Sequence, residues 1–308
     1  MPNPRIIVNP IAGRGRANEA KDQIQKIYAR EGQPMEMLIT TRPLDATQWA
    51  YEAARDGVPY VAGAGGDGTA NEIINGLARW VRDGGDPGRL PRFGVIPVGT
   101  GNDYAYNFFP LDGNLEAHCG RLMRGQTRSV DVGLVESDAE DPLYFVNGVG
   151  LGFDAVVNIE SRKIKHLRGA AVYVPAVLKT ILFYFRAPRC RIALADQASF
   201  EDNLMMISVM NGVRFGATFI MTPGSQIDDR VFNFCFVQRC SRPQMFALVP
   251  QFIKGTHPGH PKIRLTTARQ ATLEANEPLP SHVDGEIYSV RARRYTFSIL
   301  PWQLQMLV

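Results

Sequence analysis

"GAGGDGTANEIING", residues 63–76, places five glycines and an aspartate between an apolar run and a segment with helical spacing. Upstream, "VPYVAGA" (58–64) reads as a buried strand. Downstream, "ANEIINGLARWV" (70–81) sets Ile73, Ile74, Leu77 and Val81 on one helical face. Glycine is entropically expensive, so bare backbone at this density needs a reason. In a strand-to-helix turn it lets backbone N–H groups approach an anion, and the helix N-terminus adds positive potential. The flanking chain has the same grammar. "RIIVN" (5–9), "MEMLIT" (35–40) and "FGVIP" (93–97) read as strands. "ANEAKDQIQKIYARE" (17–31) and "DATQWAYEAARDG" (45–57) read as helices, the second with Asp45 as its N-cap and Gly57 past its end. Alternating strands and helices imply right-handed crossovers and a parallel sheet.

Two further stretches repeat the pattern. "NPIAGRGR" (9–16) and "PVGTGNDYA" (97–105) each follow a strand and carry glycines, the second with Thr100, Asn102 and Asp103. Three glycine loops should therefore leave one edge of the sheet, outside the carboxyl ends of the strands, where open α/β sheets bind ligands. Asp67 would repel bare phosphate, so it points to Mg²⁺ held between carboxylate and phosphate; its bland role is a helix cap. No G-x-x-x-x-G-K-[ST] loop is present.

After residue 128 the grammar changes. "RSVDVGLV", "LYFVNGVGLG", "RCRIALA", "NLMMISVMN", "VFNFCFV", "PKIRLTT", "ATLEA" and "IYSVRARRYTFSIL" are strand-like, with helical interruptions near 153–164, 170–185 and 242–253. The expected fold is α/β: a parallel α/β domain over 1–128, rejoined by 292–308, and a mainly antiparallel β domain over 129–291. A late turn, "HVDGEIY" (282–288), adds Asp284 and Glu286. By itself "DGE" marks no more than a β-turn. "HPGHP" (257–261) reads as a solvated loop.

The 308 residues carry a net charge of +4 and 45% apolar residues, ordinary for a globular chain and too weakly basic for a nucleic-acid binder. Cys119, Cys190, Cys235 and Cys240 show no metal or disulfide spacing and read as idle thiols of a reducing compartment. No leader pattern opens the chain and no apolar run is long enough to span a bilayer, so the expectation is a cytoplasmic protein, peripheral to the membrane at most.

"VNPIAG", "GGDGTANEIINGL", "PVGTGNDYA", "VDVG" and "VDGE", in this order, resemble the diacylglycerol kinase catalytic-domain family, which includes bacterial lipid kinases and sphingosine and ceramide kinases. The resemblance spans nearly the whole chain. It implies an N-terminal domain like those of NAD kinases and phosphofructokinases, a β-rich lipid domain, and a site in the cleft between them. It implies ATP and Mg²⁺ as cofactors and a lipid hydroxyl as acceptor. Asn9, Pro10, Gly13, Thr40, Gly65, Gly66, Asp67, Gly68, Thr69, Asn71, Gly99 and Thr100 match nucleotide-binding positions. Ala12 stands where the family has serine, and Leu44 where it often has glycine. Asp67, with Asp103, would organise Mg²⁺. Glu286 matches the proton acceptor, with Asp284 beside it as organiser. Asp229, with the carbonyls of Gln226 and Val231, resembles a structural Mg²⁺ loop in which Arg230 replaces a glycine.

As residues two apart on a hairpin, Asp284 and Glu286 should share a face. Partial burial should raise the pKa of the base. The segment 161–191 has cations around an apolar core, Arg162, Lys163, Lys165 and Arg168 before it and Arg186, Arg189 and Arg191 after it. It is either a core helix or an interfacial segment at a membrane surface. An NAD kinase-like enzyme and a non-catalytic nucleotide or lipid sensor remain as alternatives. The identity of the lipid and a homodimer are left open.

Overall fold

The computed structural model describes residues 2–164, 167, 169–184 and 186–308. The chain divides into two compact units, Met1–Val132 with Pro301–Val308, and Gly133–Leu300.

The first unit runs β1 (Arg5–Val8), α1 (Arg16–Arg30), β2 (Glu36–Ile39), α2 (Asp45–Asp56), β3 (Tyr60–Gly65), α3 (Asp67–Arg82), β4 (Arg92–Pro97), α4 (Asp103–Tyr106) and α5 (Leu115–Arg124). β2, β1, β3 and β4 pair in that order, all parallel. Chain order reverses between β1 and β3, which opens a crevice at their carboxyl ends. Ile6, Val8, Ala62, Ala64 and Ile96 pack with Ala20, Ile24 and Tyr28 of α1 and Leu122 of α5. α3 begins at Asp67, so the D-G-T triplet is its first turn. The last glycine of the opening stretch is a packing residue. A Cβ on Gly76 would meet the Thr47 carbonyl oxygen at 2.1 Å and the Ala50 Cβ at 2.8 Å, so α3 crosses α2 at a distance only glycine allows.

Asp45 does not cap α2 as expected. The N-cap is Leu44, in the left-handed region at φ 71°. The Asp45 carboxylate reaches back instead and accepts the backbone N–H groups of Thr41 (2.8 Å) and Arg42 (3.1 Å). A left-handed residue just before the helix turns its carboxylate toward the preceding loop.

The second unit contains β6 (Leu143–Phe145), β7 (Gly148–Gly152), α6 (Phe153–Ser161), α7 (Tyr173–Phe183), β8 (Arg189–Leu194), β9 (Phe200–Met210), the short pair β10 (Arg214–Phe215) and β11 (Phe219–Ile220), β12 (Phe232–Gln238), α8 (Arg242–Lys254), β13 (Ile263–Ala268), β14 (Gln270–Ala275), β15 (Ser281–Val283) and β16 (Glu286–Ser289). β5 (Thr127–Ser137) and β17 (Arg294–Leu307) each contribute residues to both units. Its strand pairs are antiparallel. The runs at 143–152 and 287–300 each break into two strands, at turns that hydropathy alone does not mark.

Period-2 alternation gives the strands two apolar faces. Phe232, Phe234 and Phe236 of β12 and Ile207 and Val209 of β9 enter an aromatic core with Phe145, Tyr295 and Phe297. Cys235 and Val237 of β12 and Met206 and Met210 of β9 face the other way, toward α6, α7 and α8. The second apolar face exists because helices cover it. His257 is a correction to the reading of 257–261 as a solvated loop. It is fully buried, stacks on Phe252 at 4.1 Å and contacts the Met221 carbonyl at 3.1 Å.

Candidate active site

In the first unit the three glycine loops stand at the carboxyl ends of β1, β3 and β4, on one sheet edge. The Asn9 amide donates to Thr69 Oγ1 at 3.1 Å across the β1–β3 crevice. Gly65 accepts the N–H groups of both Val98 and Gly99 at 3.0 Å. Backbones meet here without side chains between them: a Cβ on Gly99 would lie 2.3 Å from the Gly66 Cα, and one on Gly13 would lie 2.0 Å from the Val98 carbonyl oxygen. Arg16 bonds the carbonyls of Gly13 and Gly99 and so ties the first loop to the third. Its role was legible only as a basic residue in a glycine loop.

Asp67 is more than a helix cap. The N-cap is Gly66, and Asp67 Oδ1 accepts the Tyr104 N–H at 2.9 Å from the third loop. A Cβ on Gly101 would fall 2.9 Å from Asp67 Oδ2 and 3.6 Å from Asp103 Oδ2, so both carboxylates converge on this bare backbone. Two carboxylates beside a glycine cradle fit a Mg²⁺–phosphate group in donor type and space. Thr40 lies at the end of β2, its N–H bonded to Val8 O at 2.9 Å, on the same edge. Gly68 lies in the first turn of α3, and Thr100 is exposed. Asn71 is buried, and its side-chain oxygen accepts from Asn75 at 3.1 Å within α3.

In the second unit the late turn is a two-residue hairpin joining β15 to β16, with Asp284 at φ 47° and Gly285 at φ 85°. This is the Asp-Gly pairing such a turn demands. The geometry corrects two expectations. Asp284 is a turn residue, so it does not share a strand face with Glu286. Its buried carboxylate accepts the N–H groups of Val146 (3.2 Å), Asn147 (3.1 Å) and Gly148 (2.8 Å) and closes the turn before β7. Glu286 is not buried: its side chain is 53% exposed and pairs with Arg162 Nη2 at 2.7 Å. It opens β16 just past the hairpin tip, where little chain can cover it.

Two residues that the sequence reading did not assign to the site hold this turn. Asn158 Nδ2 and Arg162 Nη2 both donate to the Gly285 carbonyl at 2.8 Å. They stand four apart, at the end of α6 and just beyond it, a spacing that shares a helical face. His282, buried beneath, accepts the Gly285 N–H at Nδ1 (3.3 Å) and turns Nε2 toward Asp154 Oδ2 at 3.3 Å. Asp154 in turn lines an apolar pocket with a cavity volume of ≈ 70 Å³, walled by Val157, Val177, Ile181, Met206, Phe219 and Leu248. α6 thus carries the pocket wall on one stripe and the grip on the Glu286 turn on the next.

The 226–231 loop is a tight turn in which Asp229 Oδ1 accepts the Val231 N–H at 3.1 Å. Arg230 takes up the left-handed backbone a glycine would favour, at φ 65°, and its Nη1 donates to Leu300 O at 3.2 Å. Exposed oxygens at a turn suit a hard cation in donor type. The adjacent guanidinium opposes one in charge.

The parallel α/β unit with its glycine loops, and the antiparallel β unit, have an NAD kinase-like architecture. Residues 3–135 match the diacylglycerol kinase catalytic domain, and residues 147–308 match the YegS C-terminal NAD kinase beta sandwich-like domain. The chain belongs to the diacylglycerol kinase catalytic-domain family and is a kinase. Curated relatives named diacylglycerol kinase include one from Bacillus subtilis (strain 168), 28% identical over 93% of this chain and 90% of its own length. Another, from Staphylococcus carnosus (strain TM300), is 26% identical over 92% and 88%. Among solved structures, a diacylglycerol kinase from Bacillus anthracis str. Sterne superposes with TM-score 0.74 at 21% identity, covering 99% of this chain and 96% of that one. An NAD kinase from Archaeoglobus fulgidus in complex with ATP gives 0.54 at 12%, covering 99% and 93%. At these identities the structural likeness speaks for the fold. Among the described residues no helix is long and apolar enough to cross a membrane.

Proposed function

We propose that the protein transfers the γ-phosphoryl group of ATP to the hydroxyl of a diacylglycerol-like lipid. The observation that carries this reading is the double role of α6. One stripe lines a pocket whose apolar walls suit an acyl chain, and Asn158 and Arg162 hold the turn of the candidate base. An NAD kinase has no need of such a pocket.

The residue roles follow from the chemistry. Phosphoryl transfer asks a protein for positioning and charge stabilisation more than for covalent work. ATP with Mg²⁺ supplies the phosphoryl group and the divalent charge that neutralises its oxygens. Asn9, Pro10, Gly13, Thr40, Gly65, Gly66, Gly68, Thr69, Asn71, Gly99 and Thr100 would hold the nucleotide. Asp67 and Asp103 would bind the metal side of it. Glu286 would take the proton of the lipid hydroxyl while Arg162 orients its carboxylate. Asp284 acts as organiser through the 146–148 backbone. A structural Mg²⁺ at Asp229, with the Gln226 and Val231 carbonyls, belongs to the same proposal.

The test is incubation with labelled ATP and either a total lipid extract or NAD. Label should enter a lipid, and Asp67→Asn, which can still accept the Tyr104 N–H, should lower that rate at least about a hundredfold. Label in NAD alone would establish the NAD kinase reading. ATP binding with no labelled product would establish the sensor.

A further inference from the structure

α7 and α8 are apolar on both sides. Their inner residues, among them Val177, Ile181, Leu248 and Phe252, line the pocket. Their outer residues should then be polar, as on any helix that covers a core. They are not. Val174, Leu178 and Leu182 recur every fourth residue along the outer face of α7 and are exposed, Leu182 by 48%, and Phe183 beside them by 72%. On α8, Phe246 and Ile253 are exposed as well. The two helices are joined where Arg242, at the start of α8, donates to the carbonyls of Ile181 and Leu182 at 3.2 Å. Six exposed apolar side chains therefore stand on two linked helices.

Charge decides what covers it. The segment 161–191, which contains α7, has eight Lys and Arg and no Asp or Glu. The segment 230–273, which contains α8, has seven Lys and Arg and again no Asp or Glu. Lys165 and Arg168 lie outside the described residues. Lys163 and Lys179 both pair with the buried Glu160, at 2.5 and 2.6 Å, Arg162 pairs with Glu286 at 2.7 Å, Arg189 with Glu201 at 2.6 Å, and Arg186 lies 3.6 Å from Glu277. Six described cations of 161–191 against four carboxylates still leave a positive excess. A second copy of the chain would bring the same cations to the same patch and be repelled. Exposed apolar residues on segments of excess positive charge match an anionic lipid leaflet, which takes apolar side chains among its acyl chains and cations among its headgroups.

We infer that the outer face of α7 and α8 docks on an anionic bilayer, laying the two helices between the lipid leaflet and the pocket. This rests on the lipid-kinase reading for its purpose, but it is tested without turnover. The probe is sedimentation with vesicles of phosphatidylcholine alone, and with about 30% phosphatidylglycerol added, in the absence of ATP. The wild type should bind the anionic vesicles and release as salt rises from about 0.1 to about 0.5 M. Leu182→Glu with Phe183→Glu, at exposed positions outside the pocket, should keep the wild-type melting temperature. It should lose at least about tenfold in partitioning, because each change puts a charge where apolar burial was needed. Both proteins should phosphorylate a monomeric short-chain diacylglycerol equally. Failure of that last reaction in the wild type would count against the lipid-kinase reading alone. Wild-type protein that ignores anionic vesicles, or a variant that binds as well as wild type, would overturn the docking surface. So would a wild-type dimer on gel filtration that the variant abolishes, because a second copy would then be the occupant.

Discussion

Asp284 and Glu286 are separated by one residue, yet their surroundings assign them different work. Three buried N–H groups depend on the Asp284 carboxylate. Leaving buried donors unpaired is expensive, so Asp284→Ala should cost roughly 3–5 kcal/mol in unfolding free energy. Asn tolerates the same backbone and keeps one acceptor, so Asp284→Asn should cost less. Glu286 is exposed, and Glu286→Gln should leave stability within about 0.5 kcal/mol of wild type. It should bind ATP normally and lose roughly two to four orders of magnitude in turnover. Denaturant titrations and initial rates on the same preparations separate the two roles. An Asp284→Ala protein as stable as wild type, or a fully active Glu286→Gln, would reverse them.

The loop and first turn of α2 show how a local departure from the family pattern is accommodated. Leu44 holds a left-handed backbone that costs an L-residue about 1–2 kcal/mol, and its side chain is 65% exposed, with little packing in return. Glycine lacks that penalty but has more unfolded-chain entropy to lose. Leu44→Gly should raise stability by about 0.5–1 kcal/mol, measured by chemical denaturation. A loss of stability would mean that the leucine makes contacts worth more than its backbone costs. Next to it, the backbone N–H of Thr41 foremost, then Arg42, hold the Asp45 carboxyl at about 2, below its ordinary 3.8, against the opposing effect of burial. A depressed folded pKa means that the unfolded chain binds protons first. Its contribution is therefore complete above about pH 4 and is lost as pH falls through about 2. The melting temperature should drop less steeply over that window in Asp45→Asn than in wild type. Parallel slopes would show that this carboxylate does not anchor the helix.

For the whole molecule, four buried thiols report on packing in each unit. Cys119 belongs to the first unit, and Cys190, Cys235 and Cys240 to the second. Burial pushes the thiols of Cys119 and Cys190 up to about 12, and those of Cys235 and Cys240 upward as well. The thiolate is the reactive form, so at pH 8 alkylation of native protein should run at least about a hundredfold slower than in denaturant. Peptide mapping would assign each site, and rapid native labelling of any one would contradict the burial of its unit's core.

What was legible in the sequence is what depends on neighbours along the chain. Strand–glycine–helix alternation, period-2 runs and the order of the motifs specify a parallel α/β unit, a β-rich unit and three loops on one sheet edge. Backbone sterics and hydropathy act locally, and local signals survive in a string of letters. Tertiary structure decided everything that needs two distant segments. The grip of Asn158 and Arg162 on Gly285, more than 120 residues away, is invisible to spacing. The same holds for the convergence of Asp67 and Asp103 on Gly101, for the burial of His257 against Phe252, and for the withdrawal of Asp284 from the face that Glu286 occupies. Sequence could name α7 as apolar with cations around it. Only the folded chain shows which of its residues Met206 and Leu248 cover and which, like Phe183, are left outside. A side chain's exposure is set by what packs against it, and that partner comes from elsewhere in the chain.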